Sequence, residues 1–212
     1  MAFFWKKIDV VEAAPIYLDG SDNCYYAREY ISNGGFKASE TNQLISNFKK
    51  PVTARGTGQW QYKEAAIRQF AKELLEVLPD DAIIAQIPSS KCKTDPAYDS
   101  RVIDGLRLVM KRKPSIRLVE PIEAVASTQA AHLGGTRNPL TIYNNLRWSG
   151  GLPDNANHII FVDDVITTGA HYKACKRIVL ENHTNIQVVG VNWARTVWPS
   201  EADPAMSTPL LF

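Results

Sequence analysis

The chain has 212 residues, enough to bury one substantial core, and its 24 Lys plus Arg against 22 Asp plus Glu leave a formal charge of only +2. Its basic residues are spread along the chain, which argues against a non-specific nucleic-acid binder. Cys24, Cys92 and Cys175 are odd in number and far apart, fitting neither a paired disulfide framework nor a four-ligand zinc site, and point to a reducing cytoplasmic setting.

Met1 to Lys7 places apolar residues before its charges, the reverse of a secretory signal, and no window is apolar enough to span a membrane. Residues 1–50 mix Pro15, Gly20, Gly34 and Gly35 with scattered aromatics and hold no lasting period, so the expectation is a small irregular N-terminal subdomain. Residues 51–196 are expected to form an α/β core, and residues 197–212 a C-terminal tail.

Within that core the elements follow in order. Ile67, Phe70, Ala71, Leu74 and Leu78 recur at helical spacing, which predicts a helix from Gln59 to Leu78 stopped by Pro79-Asp80-Asp81. Ala82 to Ile87 is a short, nearly continuous apolar run, as a strand buried on both faces requires, and it ends at Pro88-Ser89-Ser90-Lys91. Val102, Ile103, Leu106, Val109 and Met110 predict a second helix, closed by Lys111-Arg112-Lys113 as a solvated basic C-terminus. Ile116 to Val119 reads as a strand, and Ser127 to Gly151 as a polar, Gly-rich stretch containing a mobile loop. His158 to Val162 reads as a strand, Ala170 to Leu180 as a helix and Ile186 to Val191 as a strand. Such alternation predicts a parallel sheet with helices on both faces.

The chemistry concentrates in Phe161-Val162-Asp163-Asp164-Val165-Ile166-Thr167-Thr168-Gly169-Ala170-His171, where a buried strand meets a helix N-terminus. Ligands of open parallel sheets bind beyond the carboxyl ends of strands, and a helix N-terminus offers free N–H groups to an anion. Thr167, Thr168 and Gly169 bring two hydroxyls and then a residue without Cβ, which lets the backbone close around phosphate oxygens. The two carboxylates just upstream can accept hydrogen bonds from vicinal hydroxyls. Together they specify a phosphorylated sugar. A strand end, turn and helix cap would explain any one of these residues alone, but not the ordered set.

This run resembles the 5-phosphoribosyl diphosphate (PRPP) signature of type I phosphoribosyltransferases. With Asn47-Phe48-Lys49-Lys50, Ala82 to Pro88, Gln129, Arg137-Asn138 and Val191 to Arg195, the chain is most similar to the ComF-like branch. The resemblance implies a cytoplasmic glycosyltransferase of nucleotide metabolism, transferring phosphoribosyl to a nitrogen acceptor such as a nucleobase. It also implies Mg²⁺ bound mainly through PRPP, with a homodimer as one assembly it allows. It gives Asp163 and Asp164 the ribose hydroxyls and any metal contact. Val165, Ile166, Thr167, Thr168, Gly169, Ala170 and His171 would serve the 5′-phosphate, Ser89, Ser90 and Lys91 the pyrophosphate, and Arg137 catalysis from a closing loop.

Three residues depart from the pattern: His171 replaces a hydroxyl residue, Thr167 replaces the purine-handling Asp of hypoxanthine-guanine salvage enzymes, and Cys24 alone cannot rebuild an N-terminal zinc site. Trp193 reads either as a residue near the acceptor or as core. The alternative class is a non-enzymatic PRPP or nucleotide sensor, or an accessory protein in DNA uptake or processing.

Overall fold

A computed structural model describes residues 5–10, 17–129 and 135–198. The chain folds as mixed α/β, around a mostly parallel six-stranded sheet. In chain order its elements are β1 (Lys6–Lys7), β2 (Asn23–Ile31), α1 (Glu40–Phe48), α2 (Trp60–Val77), β3 (Ile83–Gln86), α3 (Arg101–Met110) and β4 (Arg117–Leu118). There follow β5 (Ile122–Ala124), α4 (Pro139–Asn144), β6 (Leu146–Trp148), β7 (His158–Ile166), α5 (Ala170–Asn182) and β8 (Gln187–Val197). The sheet order is β1-β2-β8-β7-β3-β4, antiparallel at β1 and parallel everywhere else.

Side chains alternate across each strand, so β7 sends Ile160 and Val162 to one face and Ile159 and Phe161 to the other. The first face packs Ile84 and Trp193 against Phe48 of α1, Phe70 and Leu74 of α2, and Leu106 and Val109 of α3. The second packs Ala85 and Val188 against Tyr172, Cys175, Ile178 and Val179 of α5. Helices therefore cover both faces, and β7 lies inside the sheet, as a strand with no polar face must.

The N-terminal expectation is corrected. Residues 23–31 are not part of an irregular subdomain: β2 pairs with β8 from Asn23↔Val189 to Ile31↔Val197 and completes the central sheet. Ser39 caps the helix that follows, its hydroxyl accepting the Asn42 N–H at 3.0 Å. A polar cluster ties β2 to the core, since buried Glu73 accepts from Arg28 at 2.8 Å and from the Trp193 indole at 2.8 Å. Trp193 is thus a core residue, fully buried between Phe48 and Phe70. β7 and β8 run beyond their expected ends at Val162 and Val191, carrying Asp163, Asp164 and Asn192 into paired strand.

The expected loop between Ser127 and Gly151 contains structure of its own. β5 and β6 form a small antiparallel pair, with α4 between them capped by Asn138. Gly134, Pro15 and residues 199–212 of the tail lie outside the described residues. Among the described residues no helix is long and apolar enough to cross a membrane.

Candidate functional site

Parallel pairing sets the carboxyl ends of β7, β3 and β8 side by side. Gln86 is opposite Val162, and the Ile87 N–H donates to the Val162 carbonyl at 3.0 Å, so Pro88 to Lys91 leaves the sheet beside Asp163 and Asp164. The predicted sugar and diphosphate segments therefore meet at one edge. Here α5 begins, with Gly169 at φ 78°, a left-handed conformation that glycine adopts without penalty. The Thr168 hydroxyl accepts the Ala170 N–H at 3.4 Å, while the Thr167 hydroxyl pairs with that of Thr196 on β8 at 2.9 Å. The first N–H groups of α5 face the same edge, which is the geometry of an anion cradle.

Residues 17–22, placed here by β2, wall one side of this loop. The Tyr17 N–H donates to the Thr168 carbonyl at 3.1 Å, and Leu18 lies so close to Gly169 that a Cβ there would sit 2.6 Å from its Cδ2. Asp22, with a fully buried side chain, holds Lys173 at 2.9 Å and Lys176 at 2.6 Å. His171 is half-buried, and burial lowers its pKa against the pull of the Asp164 charge.

The two aspartates are not equivalent. Alternation along β7 points Asp163 toward the α5 face and Asp164 toward the face of α1, α2 and α3. Asp164 is buried, its Oδ2 accepting from Arg101 Nη2 at 2.7 Å and Nε at 3.0 Å, and its Oδ1 lying 3.0 Å from Lys49 Nζ. Burial works against its charge, but the Lys49 and Arg101 cations outweigh it and hold the carboxyl well below the usual carboxylate range. Asp163 accepts the Asp164 N–H on Oδ1 at 2.8 Å, and Oδ2 has no partner among the described residues. Burial first, and the neighbouring Asp164 charge second, push its carboxyl up to about 7.

The cations on Asp164 belong to a longer chain of charge. Arg101 Nη1 also holds Asp99 at 3.0 Å, and Asp99 accepts from Lys63 Nζ at 2.6 Å. Lys63 is buried, and its ammonium also donates to the carbonyls of Phe48 and Lys50, each at 2.8 Å. Sequence reasoning singled out Lys49 but passed over Arg101, Asp99 and Lys63. Two signals were there to find. Lys63 falls in phase with Ala66, Ile67, Phe70 and Leu74 on the buried stripe of α2, and Arg101 is a cation at a helix N-terminus, where the helix dipole disfavours one.

In the second candidate segment, Ser89 Oγ donates to the Lys91 carbonyl at 2.8 Å and accepts the Lys91 N–H at 3.3 Å. The Ser90 carbonyl accepts the Thr128 N–H at 2.7 Å, which ties this turn to the stretch after β5. Lys91 Nζ stands 3.7 Å from Asp95. Arg137 is exposed, ahead of α4, with no hydrogen bond or ion pair among the described residues to bring it to the aspartates.

Comparison with known proteins adds little. No protein-family model matches the sequence, and no curated protein matches it. The ComF-like branch finds no support there. Among solved structures the chain is similar to a purine phosphoribosyltransferase from Pyrococcus horikoshii Ot3, at 16% identity over 72% of this chain and 94% of that one, with a TM-score of 0.31. A likeness so slight carries no argument about this site.

Proposed function

We propose that the chain binds PRPP at the carboxyl ends of β7 and β3 and transfers its 5-phosphoribosyl group to a nitrogen acceptor, releasing pyrophosphate. The observation that carries this reading is the junction of β7 and α5, where Thr167-Thr168-Gly169 at a helix N-terminus closely follows half-buried Asp163 and buried Asp164 on an internal parallel strand. In the reaction the bond from C1 to the diphosphate oxygen breaks, a nitrogen lone pair forms the new bond to C1, and the nitrogen loses its proton. The leaving diphosphate keeps the electron pair.

The loop Thr167 to His171 would hold the 5′-phosphate with backbone N–H groups and hydroxyls, and Asp163 would accept from a ribose hydroxyl through its unpartnered oxygen. Asp164, with three donors already on it, keeps accepting capacity for about one more, since an ionised carboxylate has about four lone-pair sites. Ser89, Ser90 and Lys91 would line the diphosphate. Excluding water from C1 protects the sugar from hydrolysis and strengthens the electrostatics of the site.

Among the described residues no three His, Cys, Asp or Glu side chains gather as metal ligands. Asp163, with one carboxylate oxygen unpartnered among the described residues, could give a single contact to Mg²⁺ that arrives on substrate oxygens, while Asp164 is already met by cations. When bound, the ion would neutralise charge on the departing diphosphate. The test is release of pyrophosphate from PRPP with Mg²⁺ over a panel of nucleobases and small amines. We expect turnover with at least one nitrogen acceptor, lost in Asp163→Asn. A binder that releases no pyrophosphate with any acceptor would instead be a sensor.

A further inference from the structure

The arrangement around Lys63 reaches beyond holding the fold together. A buried lysine ordinarily lowers its cost by finding acceptors, and Lys63 finds three: the Phe48 carbonyl, the Lys50 carbonyl and Asp99. Two of the three flank Lys49 in the chain. The Lys49 N–H is itself bound to the Ile45 carbonyl at 2.9 Å as the C-terminal cap of α1. The backbone of Lys49 is therefore clamped on both sides by one buried ammonium, although its own side chain is 34% exposed.

Arg101 meets Asp164 Oδ2 with two N–H groups from a half-buried position, and Lys49 is the other cation that keeps this carboxylate ionised. Lys49 adds one contact to Oδ1 and has two further ammonium donors. The backbone of this half-buried lysine is held firmly, which serves to place its ammonium. Lys49, Lys63 and Arg101 face Asp164 and Asp99 with Asp163 alongside, so the ionised cluster is balanced in charge, and an anion would draw on the spare donors of Lys49.

We propose that Lys49 is a binding residue for the diphosphate of the sugar substrate, shared between Asp164 and a diphosphate oxygen when ligand is bound, and positioned for this by Lys63. This rests on the PRPP reading of the site. Lys49 supplies positive charge where Asp164, engaged by cations, cannot recruit a metal ion of its own.

Calorimetry with inorganic pyrophosphate and, separately, ribose 5-phosphate on the wild type, Lys49→Gln and Lys49→Arg tests the assignment. Removing one charge-assisted contact should weaken pyrophosphate binding about tenfold or more, while ribose 5-phosphate stays within about twofold. Lys49→Arg should recover most of the loss. Equal weakening of both ligands would mean that Lys49 acts only through Asp164, and unchanged affinity for both would mean no role; either overturns the proposal. Should Lys49→Gln fail to fold, amine acylation of the unmodified chain, read on the Lys49 peptide by mass, replaces it. Protection by pyrophosphate and not by ribose 5-phosphate is then expected, and equal labelling overturns the assignment. A wild type that binds neither ligand would overturn the PRPP reading itself, whereas loss of this proposal alone leaves wild-type binding intact.

Discussion

Asp163 and Asp164 are neighbours in sequence with opposite energetics. Asp164 is buried among cations, so Asp164→Asn takes from Lys49 its carboxylate partner and leaves Arg101 with Asp99 alone, and should destabilise the fold by on the order of 3 kcal/mol. Asp163 is half-buried beside a like charge, and desolvation with that charge disfavours its ionised form in the folded state. Because its folded pKa is raised, the native state binds more protons than the unfolded one between the ordinary carboxylate range and about 7, and stability falls as pH rises through that window. Asp163→Asn should therefore raise Tm at pH 8 and change it little at pH 5, measured by thermal unfolding. A drop in Tm at pH 8 would contradict this. The same shift governs ligand: if Asp163 binds as carboxylate, PRPP with Mg²⁺ should bind more tightly at pH 8 than at pH 5.5 and release a proton. Calorimetry in two buffers of different ionisation heat measures this, and pH-independent affinity would remove Asp163 from the ligand.

The elements around the site divide into those the sequence made legible and those it did not. α2, β3, α3 and α5 follow the predicted spacing closely because their apolar stripes face the core on the two sides of the sheet. β2 escaped because Asn23-Cys24-Tyr25-Tyr26-Ala27-Arg28 shows no two-residue period: Arg28 points at Glu73, and that partner is 45 residues away. β7 was cut short at Val162 because two carboxylates follow it, Asp164 being satisfied by Lys49 and Arg101 rather than by an apolar face, and β8 at Val191 because polar Asn192 interrupts its apolar run before buried Trp193 and Ala194. The segment 17–22 could not be read as a neighbour of the loop 167–171, since its link to α5 is tertiary. Gly169→Ala tests that link: a Cβ at positive φ costs about 1 kcal/mol before any clash with Leu18. We expect lower Tm and weaker ribose 5-phosphate binding together, and unchanged phosphate affinity would separate the loop from the ligand. On the β5–β6 arm, exposed Arg137 should matter for turnover more than for binding, so Arg137→Ala should lower kcat strongly with PRPP affinity nearly unchanged. Equal rates would give it no role.

At the scale of the whole molecule, parallel pairing of β3, β7 and β8 does what no local segment can, since it brings residues 88–91, 163–171 and 196 to one edge. Helices α3 and α5 begin at that edge because each follows a strand that ends there. The ordered Thr, Thr and Gly before α5 were legible in the sequence, but not the cations that hold Asp164, which come from the C-terminal end of α1 and the start of α3 and converge only on folding. A ligand that binds only the folded chain stabilises it in proportion to its affinity, so binding and stability can be read on the same sample. The most direct measurement is calorimetric titration of the wild type and Asp163→Asn with PRPP and Mg²⁺, with thermal unfolding of both as the control for folding. Saturable one-site binding by the wild type, lost in a folded Asp163→Asn, is the predicted result; no binding by the wild type, or equal affinity in the variant, would contradict it.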